Sequence, residues 1–180
     1  YKGFPKSICT SVNHVVCHGI PGNKTLNSGD IINIDITVIL NGWHGDTSRM
    51  FYVGEVSPKA KKLVQTTYKS MMKGISVLKN EIRLGDVGSA IQSFVEKEGF
   101  SVVKDFCGHG IGRKFHQQPN ILHYGKAGTG ETLKVGMIFT VEPMINEGEY
   151  TTKTLNDGWT AVTKDKSLSA QFEHTVGITN

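Results

Sequence analysis

Cysteine is scarce in this chain, and the three that occur make no framework. Cys9, Cys17 and Cys107 are an odd number among 180 residues. They lack zinc-type spacing, which excludes a disulfide-stapled scaffold and favours free thiols in a reducing, cytoplasmic setting. No apolar run approaches the roughly 20 residues of a membrane-spanning helix. Neither sign of charge dominates. The 20 basic and 16 acidic residues leave +4, spread along the chain, which is weak evidence for a nucleic-acid or ribosome surface. Low-complexity stretches and linkers are missing too, so residues 1–180 are read as one domain with a sizeable core. The chain opens on YKGFPKS, without an initiator Met or a signal-like start, and an upstream segment is expected.

The most informative stretch is IINIDITVILNGWHGDTSRMF, Ile31–Phe51. Ile32, Ile34, Ile36, Val38 and Leu40 fall on one face of a strand, and Asn33, Asp35 and Thr37 on the other. Asn41-Gly42 then signals a two-residue hairpin turn. That turn sets Leu40 opposite Trp43, Asp35 opposite Ser48 and Thr37 opposite Asp46. Asp35 and Asp46 become diagonal neighbours on the polar face, about 7 Å apart or less. No Lys or Arg is expected beside them, and a bound cation would relieve their repulsion. A polar sheet surface with two solvated aspartates accounts for this stretch equally well.

Elsewhere Ile8–His18 reads as a strand, and Ser57-Pro58 starts a helix that runs to about Lys79. Asp86 is expected to cap a second helix that ends at Gly99. Phe100–Phe106, Ile138–Met144 and Phe172–Ile178 read as strands, and Asn146–Ala170 as a polar connection. Met71 and Met72 are expected in the core.

One internal repeat stands out. LNSGDIINID, Leu26–Asp35, matches LKVGMIFTVE, Leu133–Glu142, and His18-Gly19-Ile20 matches His109-Gly110-Ile111. Each half supplies a His-Gly-Ile turn and then a strand ending in a carboxylate, so two facing halves would bring these groups to one centre. The same symmetry places counterparts of the two helices before Tyr1. The natural product is therefore expected to carry two further amphipathic helices. Without them, part of the Ile32–Leu40 face is expected to lie open to water.

The strand-borne acids are Asp35, Asp46, Glu142 and Glu173, and a carboxylate among apolar neighbours is costly without a cation or partner. With His109 they form a hard, oxygen-rich donor set. Such a set favours Mn(II), Fe(II) or Co(II), and its charge suits two divalent ions able to activate a water.

CHGIP at Cys17–Pro21, NIDITV at Asn33–Val38, HGDTSRMF at His44–Phe51, CGHGIGRKFHQQP at Cys107–Pro119, TVEPM at Thr140–Met144 and DGWTAVTKDKSLSAQFEHT at Asp157–Thr175 together resemble the bacterial-type (type I) methionine aminopeptidases. The resemblance covers essentially the whole chain. It implies a pita-bread α/β (α+β) fold of two pseudo-symmetric halves, with an antiparallel sheet backed by helices. It also implies removal of the initiator methionine from nascent proteins when the second residue is small. Carried over, Asp35, Asp46, His109, Glu142 and Glu173 would ligate two divalent ions, with Asp46 and Glu173 bridging. Glu142 would also shuttle the proton, and His18 and His116 would contact the substrate. Phe4, Cys9, Phe106, Phe115, His116, Met144 and Trp159 would line the methionine pocket. Phe4 and Phe106 stand where relatives often carry tyrosine, and the family's amino-terminal helical segment is absent from the sequence. A monomer acting on N-terminal Met peptides is expected.

Histidines without such motifs, His14, His44, His123 and His174, are read as structural or surface residues, and Cys17 and Cys107 as structural. Cys9 reads as pocket lining rather than nucleophile, since no His–acid pair is implied beside it. Two other functions fit the scaffold: an aminopeptidase or dipeptidase acting at proline, and a metal-free peptide-binding protein. The short Glu142–Glu173 interval and CHGIP stand against the first, and the complete ligand set against the second.

Overall fold

A computed structural model describes residues 1–179. The hairpin predicted from Asn41-Gly42 organises it. Strands β3 (Ile31–Leu40) and β4 (Trp43–Tyr52) pair over their full length, with Asp35 opposite Ser48, Thr37 opposite Asp46 and Leu40 opposite Trp43. Asn41 (φ 51°) and Gly42 (φ 78°) both take the positive φ that a type I′ turn requires.

Around this hairpin a seven-stranded sheet runs in the order β1-β3-β4-β13-β8-β6-β7. Its other members are β1 (Cys9–Val12), β6 (Gly108–Gly110), β7 (Gln117–Ile121), β8 (Ile138–Val141) and β13 (Glu173–Gly177). The order β1-β3-β4 is mirrored by β13-β8-β6 about the β4–β13 seam. The two halves bring Asp35 of β3 and Glu142 at the end of β8 into one cavity with Asp46 of β4 and Glu173 of β13, as the internal repeat requires. Two three-stranded sheets flank it. One joins β10 (Thr152–Thr154), β11 (Ala161–Thr163) and β2 (Val15–Cys17). The other joins β12 (Ser169–Gln171), β9 (Met144–Asn146) and β5 (Ser101–Val102).

Helix α1 (Pro58–Ser76) starts where Ser57 accepts the Ala60 N–H, with Pro58 at the first helical position. Helix α2 (Leu84–Lys97) ends at Gly99, φ 84°. Leu63 and Met71 of α1 and Val87, Ile91 and Val95 of α2 pack with Ile121, Phe139, Val141 and Ile145 in the main core. Each such side chain contributes about 1.5–3 kcal/mol on burial.

Several sequence expectations are corrected. Ile8–His18 is two strands, because Asn13 turns the chain at φ 55°, and its side chain bonds Asp30 and the Ile31 N–H. Ile138–Met144 is also two strands. Pro143 has no N–H, so the ladder breaks at Glu142-Pro143 and β8 and β9 join different sheets. Phe100–Phe106 keeps only two residues of strand, and the polar connection holds three short strands. Asp86 is the third residue of α2 rather than its cap, and takes the Arg83 N–H from inside the helix. Met71 is buried but Met72 is exposed. The apolar hairpin face is buried at Ile32 and open toward the turn, where Val38 is 59% and Leu40 73% exposed.

Gly88 shows how tightly α2 is fitted to the segment after β7. A Cβ there would lie 2.4 Å from the Tyr124 carbonyl oxygen and 2.8 Å from that of Leu122. Helix propensity alone predicts that Gly88→Ala stabilises by about 1 kcal/mol. Backbone overlap outweighs this, and the variant is expected to lose about 1–3 kcal/mol in urea denaturation.

Candidate metal centre and substrate cavity

The seam between the two halves opens into one cavity of about 890 Å³. All five predicted metal ligands and all predicted substrate residues line it: Asp35, Asp46, His109, Glu142 and Glu173, with Phe4, Cys9, His18, Phe106, Phe115, His116, Met144 and Trp159.

Donor atoms of Asp46, His109 and Glu173 lie within 4.8 Å of one another, and all three residues are buried. His109 Nε2 is 3.7 Å from Asp46 Oδ2 and 3.7 Å from Glu142 Oε1. Strand chemistry places them there. Asp46 projects from the hairpin face shared with Thr37, whose hydroxyl donates to Asp46 Oδ1 at 2.8 Å. The Asp46 N–H is taken by Thr175 Oγ1 of the adjoining strand. Glu142 occupies the break between β8 and β9. Thr140 Oγ1 donates to its Oε1 at 2.7 Å, Gln171 Nε2 donates to its Oε2 at 3.3 Å, and its own N–H donates to His123 Nε2 at 3.0 Å.

The electrostatics fit a cation. Burial, followed by the charges of Asp46 and Glu142, pushes the Asp35 carboxyl up to about 8. Burial likewise pushes Glu142 up to about 7, against opposing help from Thr140 and His109. Glu173 is raised well above the carboxylate range by burial and by Glu142, Asp46 and Asp35. Its Oε1 is buried with no hydrogen-bond partner. For His109, burial is the largest single influence and lowers its pKa. The hydrogen bond and charge of Asp46, the Glu142 charge and the Gly110 carbonyl outweigh it, and the net shift is upward. Carboxylates that repel one another and leave a buried oxygen unpaired, beside an imidazole, suit a hard divalent ion.

The walls of the cavity are aromatic and sulfur-bearing. Phe4 meets Trp159 edge-on at 5.2 Å, and His18 meets Phe106 edge-on at 5.6 Å. His18 sits at φ 56°, uncommon for a residue of its size, and a Cβ on the following Gly19 would lie 2.1 Å from the Thr10 oxygen. This cramped turn aims the His18 ring into the cavity. The His116 ring lies tilted against those of His109 and Phe115, with centroids 4.0 Å and 4.1 Å away. Burial, then the neighbouring His109, lowers His116 to about 4, and burial lowers His18. Both rings are therefore neutral near pH 7.

Three residues read from sequence as structural reach this site. His44 lines the cavity and stacks on Phe115 at 5.7 Å and 6°. Cys107 lines it as well. His123, fully buried, holds the Glu142 backbone. Thr37, Thr140 and Gln171 hold the acids. The predicted register already sets Thr37 opposite Asp46, but Thr140 and Gln171 show no partner until the sheets assemble. His14 and His174 stand outside the cavity lining. No helix among the described residues is long and apolar enough to cross a membrane.

Comparison with known proteins agrees with this geometry. Residues 1–180 match the family described as Metallopeptidase family M24, and the chain belongs to it. Methionine aminopeptidase of Rickettsia prowazekii is 67% identical over 180 residues, covering 99% of this chain and 70% of the relative. That of Escherichia coli is 54% identical over 181 residues, covering 100% and 69%. The crystal structure of the R. prowazekii enzyme superposes with a TM-score of 0.98, covering 99% of this chain and 73% of that one. Within M24, the chain stands among the type I methionine aminopeptidases and has their pita-bread fold.

The raised carboxylates give the metal-free protein a particular pH dependence. Unfolded, these groups titrate near 4. Folded, Asp35 and Glu142 hold their protons to about 8 and about 7. The folded state thus binds more protons in that window, and its stability falls as pH rises through it. Chelator-treated protein is expected to melt lower at pH 8.5 than at pH 5.5. Asp35→Asn should flatten this slope, and a full slope in that variant would show that the Asp35 carboxyl is not its source.

Proposed function

We propose that this chain is a two-metal aminopeptidase that removes methionine from the amino terminus of peptides and nascent polypeptides in the cytoplasm. The observation that carries the reading is that Asp35, Asp46, His109, Glu142 and Glu173 line one cavity with aromatic, thiol and thioether side chains, the donor atoms of Asp46, His109 and Glu173 lying within 4.8 Å of one another. In this reading the five would hold two divalent ions of Mn(II), Fe(II) or Co(II) type. Bound there, the ions would supply the positive charge that offsets the carboxylates and makes a water acidic enough to attack near neutral pH.

The chain's own residues supply the remainder. Glu142 takes the proton of the attacking water and later returns it to the leaving amine. His18 and His116, neutral and held by aromatic contacts, make hydrogen bonds to the scissile amide from two sides without adding charge beside the cations. Cys9, Phe4, Phe106, Met144 and Trp159 accept the methionine side chain, because sulfur and aromatic faces favour a polarisable thioether. Burial and the charges of Asp35 and Asp46 push the Cys9 thiol up to about 12, so it lines the wall as a neutral group and is no nucleophile. All three cysteines are free, which supports a reducing compartment.

Two outcomes test this. Asp46→Asn removes the charge of one of the proposed ligands and is expected to abolish turnover and weaken metal binding. Normal turnover with normal stoichiometry would contradict its assignment. Peptides with an N-terminal Met followed by a small residue should be cut, whereas Leu- and Pro-terminal peptides should not. Efficient release of Leu or Pro would reject the methionine pocket.

A further inference from the structure

Thr140 is fully buried in β8 and, apart from its bond to Glu142, has no part in the roles above. Its hydroxyl makes two hydrogen bonds, accepting from the His109 backbone N–H at 3.0 Å and donating to Glu142 Oε1 at 2.7 Å. A hydroxyl has one proton to give, and a backbone N–H can only donate. The proton therefore has one destination, the Glu142 carboxylate, and both bonds have a fixed direction.

The strands are built for this contact. Gly108 lets β6 close on β8, since a Cβ there would lie 2.3 Å from the Thr140 carbonyl oxygen. The two strands share a single paired position, Gly110 with Phe139. The His109 N–H next to it takes the threonine side chain. Of the three groups that hold Glu142, His123 holds its backbone and Gln171 its far oxygen, at 3.3 Å. Thr140 makes the shortest of these bonds and alone among the three also touches the His109 backbone. A β-branched residue at a strand interior is ordinary packing, but valine would serve that purpose between Phe139 and Val141 without a polar atom to satisfy.

We propose that Thr140 is a positioning residue, whose one hydroxyl holds the His109 backbone and the Glu142 carboxylate in the single arrangement that presents both donors to one ion. This rests on the metallo-aminopeptidase reading. It places Thr140 behind the ligands, touching neither substrate nor the reacting atoms.

The test is Thr140→Val, which keeps shape and branching but removes the hydroxyl, beside Thr140→Ser, which keeps the hydroxyl. Mn(II) is titrated calorimetrically into each full chain after chelation, and kcat and KM are measured on a Met-peptide. The valine variant is expected to bind Mn(II) about tenfold to a hundredfold more weakly, as when an outer-shell partner is lost. Its kcat should fall while KM holds, and serine should restore both. Wild-type affinity and kcat in the valine variant, or equal impairment of valine and serine, would overturn the proposal. Should the valine chain fail to fold, Thr140→Ala takes its place in the same titration, where weakened binding supports the proposal and wild-type affinity overturns it. A parent chain that binds no Mn(II) would overturn the aminopeptidase reading, while a parent that binds and a valine variant that binds equally would overturn the positioning role alone.

Discussion

Four carboxylates and an imidazole crowd one buried cavity, and the cost of that crowding governs the rest of the structure. Removing an ion from water costs several kcal/mol even after relaxation. The chain meets this cost in part with directed hydrogen bonds. Thr37 donates to Asp46, and Thr140 and Gln171 donate to Glu142. These bonds leave Glu173 Oε1 without a partner and the carboxyl groups of Asp35, Glu142 and Glu173 raised. The negative charge that remains uncompensated is what a cation would offset.

The fold explains why the crowding can be tolerated. Asp35, Asp46, His109 and Glu173 stand on strands of one sheet and Glu142 follows directly on another member, β8, and the sheet is anchored on one side by the helical core around Leu63, Met71 and Ile91. A smaller cluster of Val16, Cys17, Val103, Met144 and Ala161, with Phe106 against it, supports the substrate walls. Rigid strands hold the acids where repulsion would otherwise part them. The His18 turn and the Glu142-Pro143 break each depart from regular backbone, and each does so where a side chain must point into the cavity.

Much of this is legible in the sequence, for identifiable reasons. The hairpin can be read to the residue because strict alternation and Asn-Gly fix register locally. The repeat relates Asp35 to Glu142, and the quoted motifs point to the family. What escapes depends on distant partners. β7 and β10 to β12 are short, and pairing with other strands defines them rather than their own propensity. Asn13 splits a strand because Asp30 and Ile31 come to meet its side chain. Asp86 has the look of a cap, but the helix begins two residues earlier, and its carboxylate reaches back to Arg83 and across to Gly128. His44 and His123 carry no local mark of use. Their roles exist only once Phe115 and Glu142 are brought against them.

If the proposed function holds, cations replace protons in this cavity. Calorimetric titration of Mn(II) at pH 7, repeated in buffers of different ionisation enthalpy, counts the protons released per ion bound. Two ions per chain are expected to bind with net proton release, drawn from Asp35, Glu142 and Glu173. Binding without proton release, or no binding at all, would contradict it.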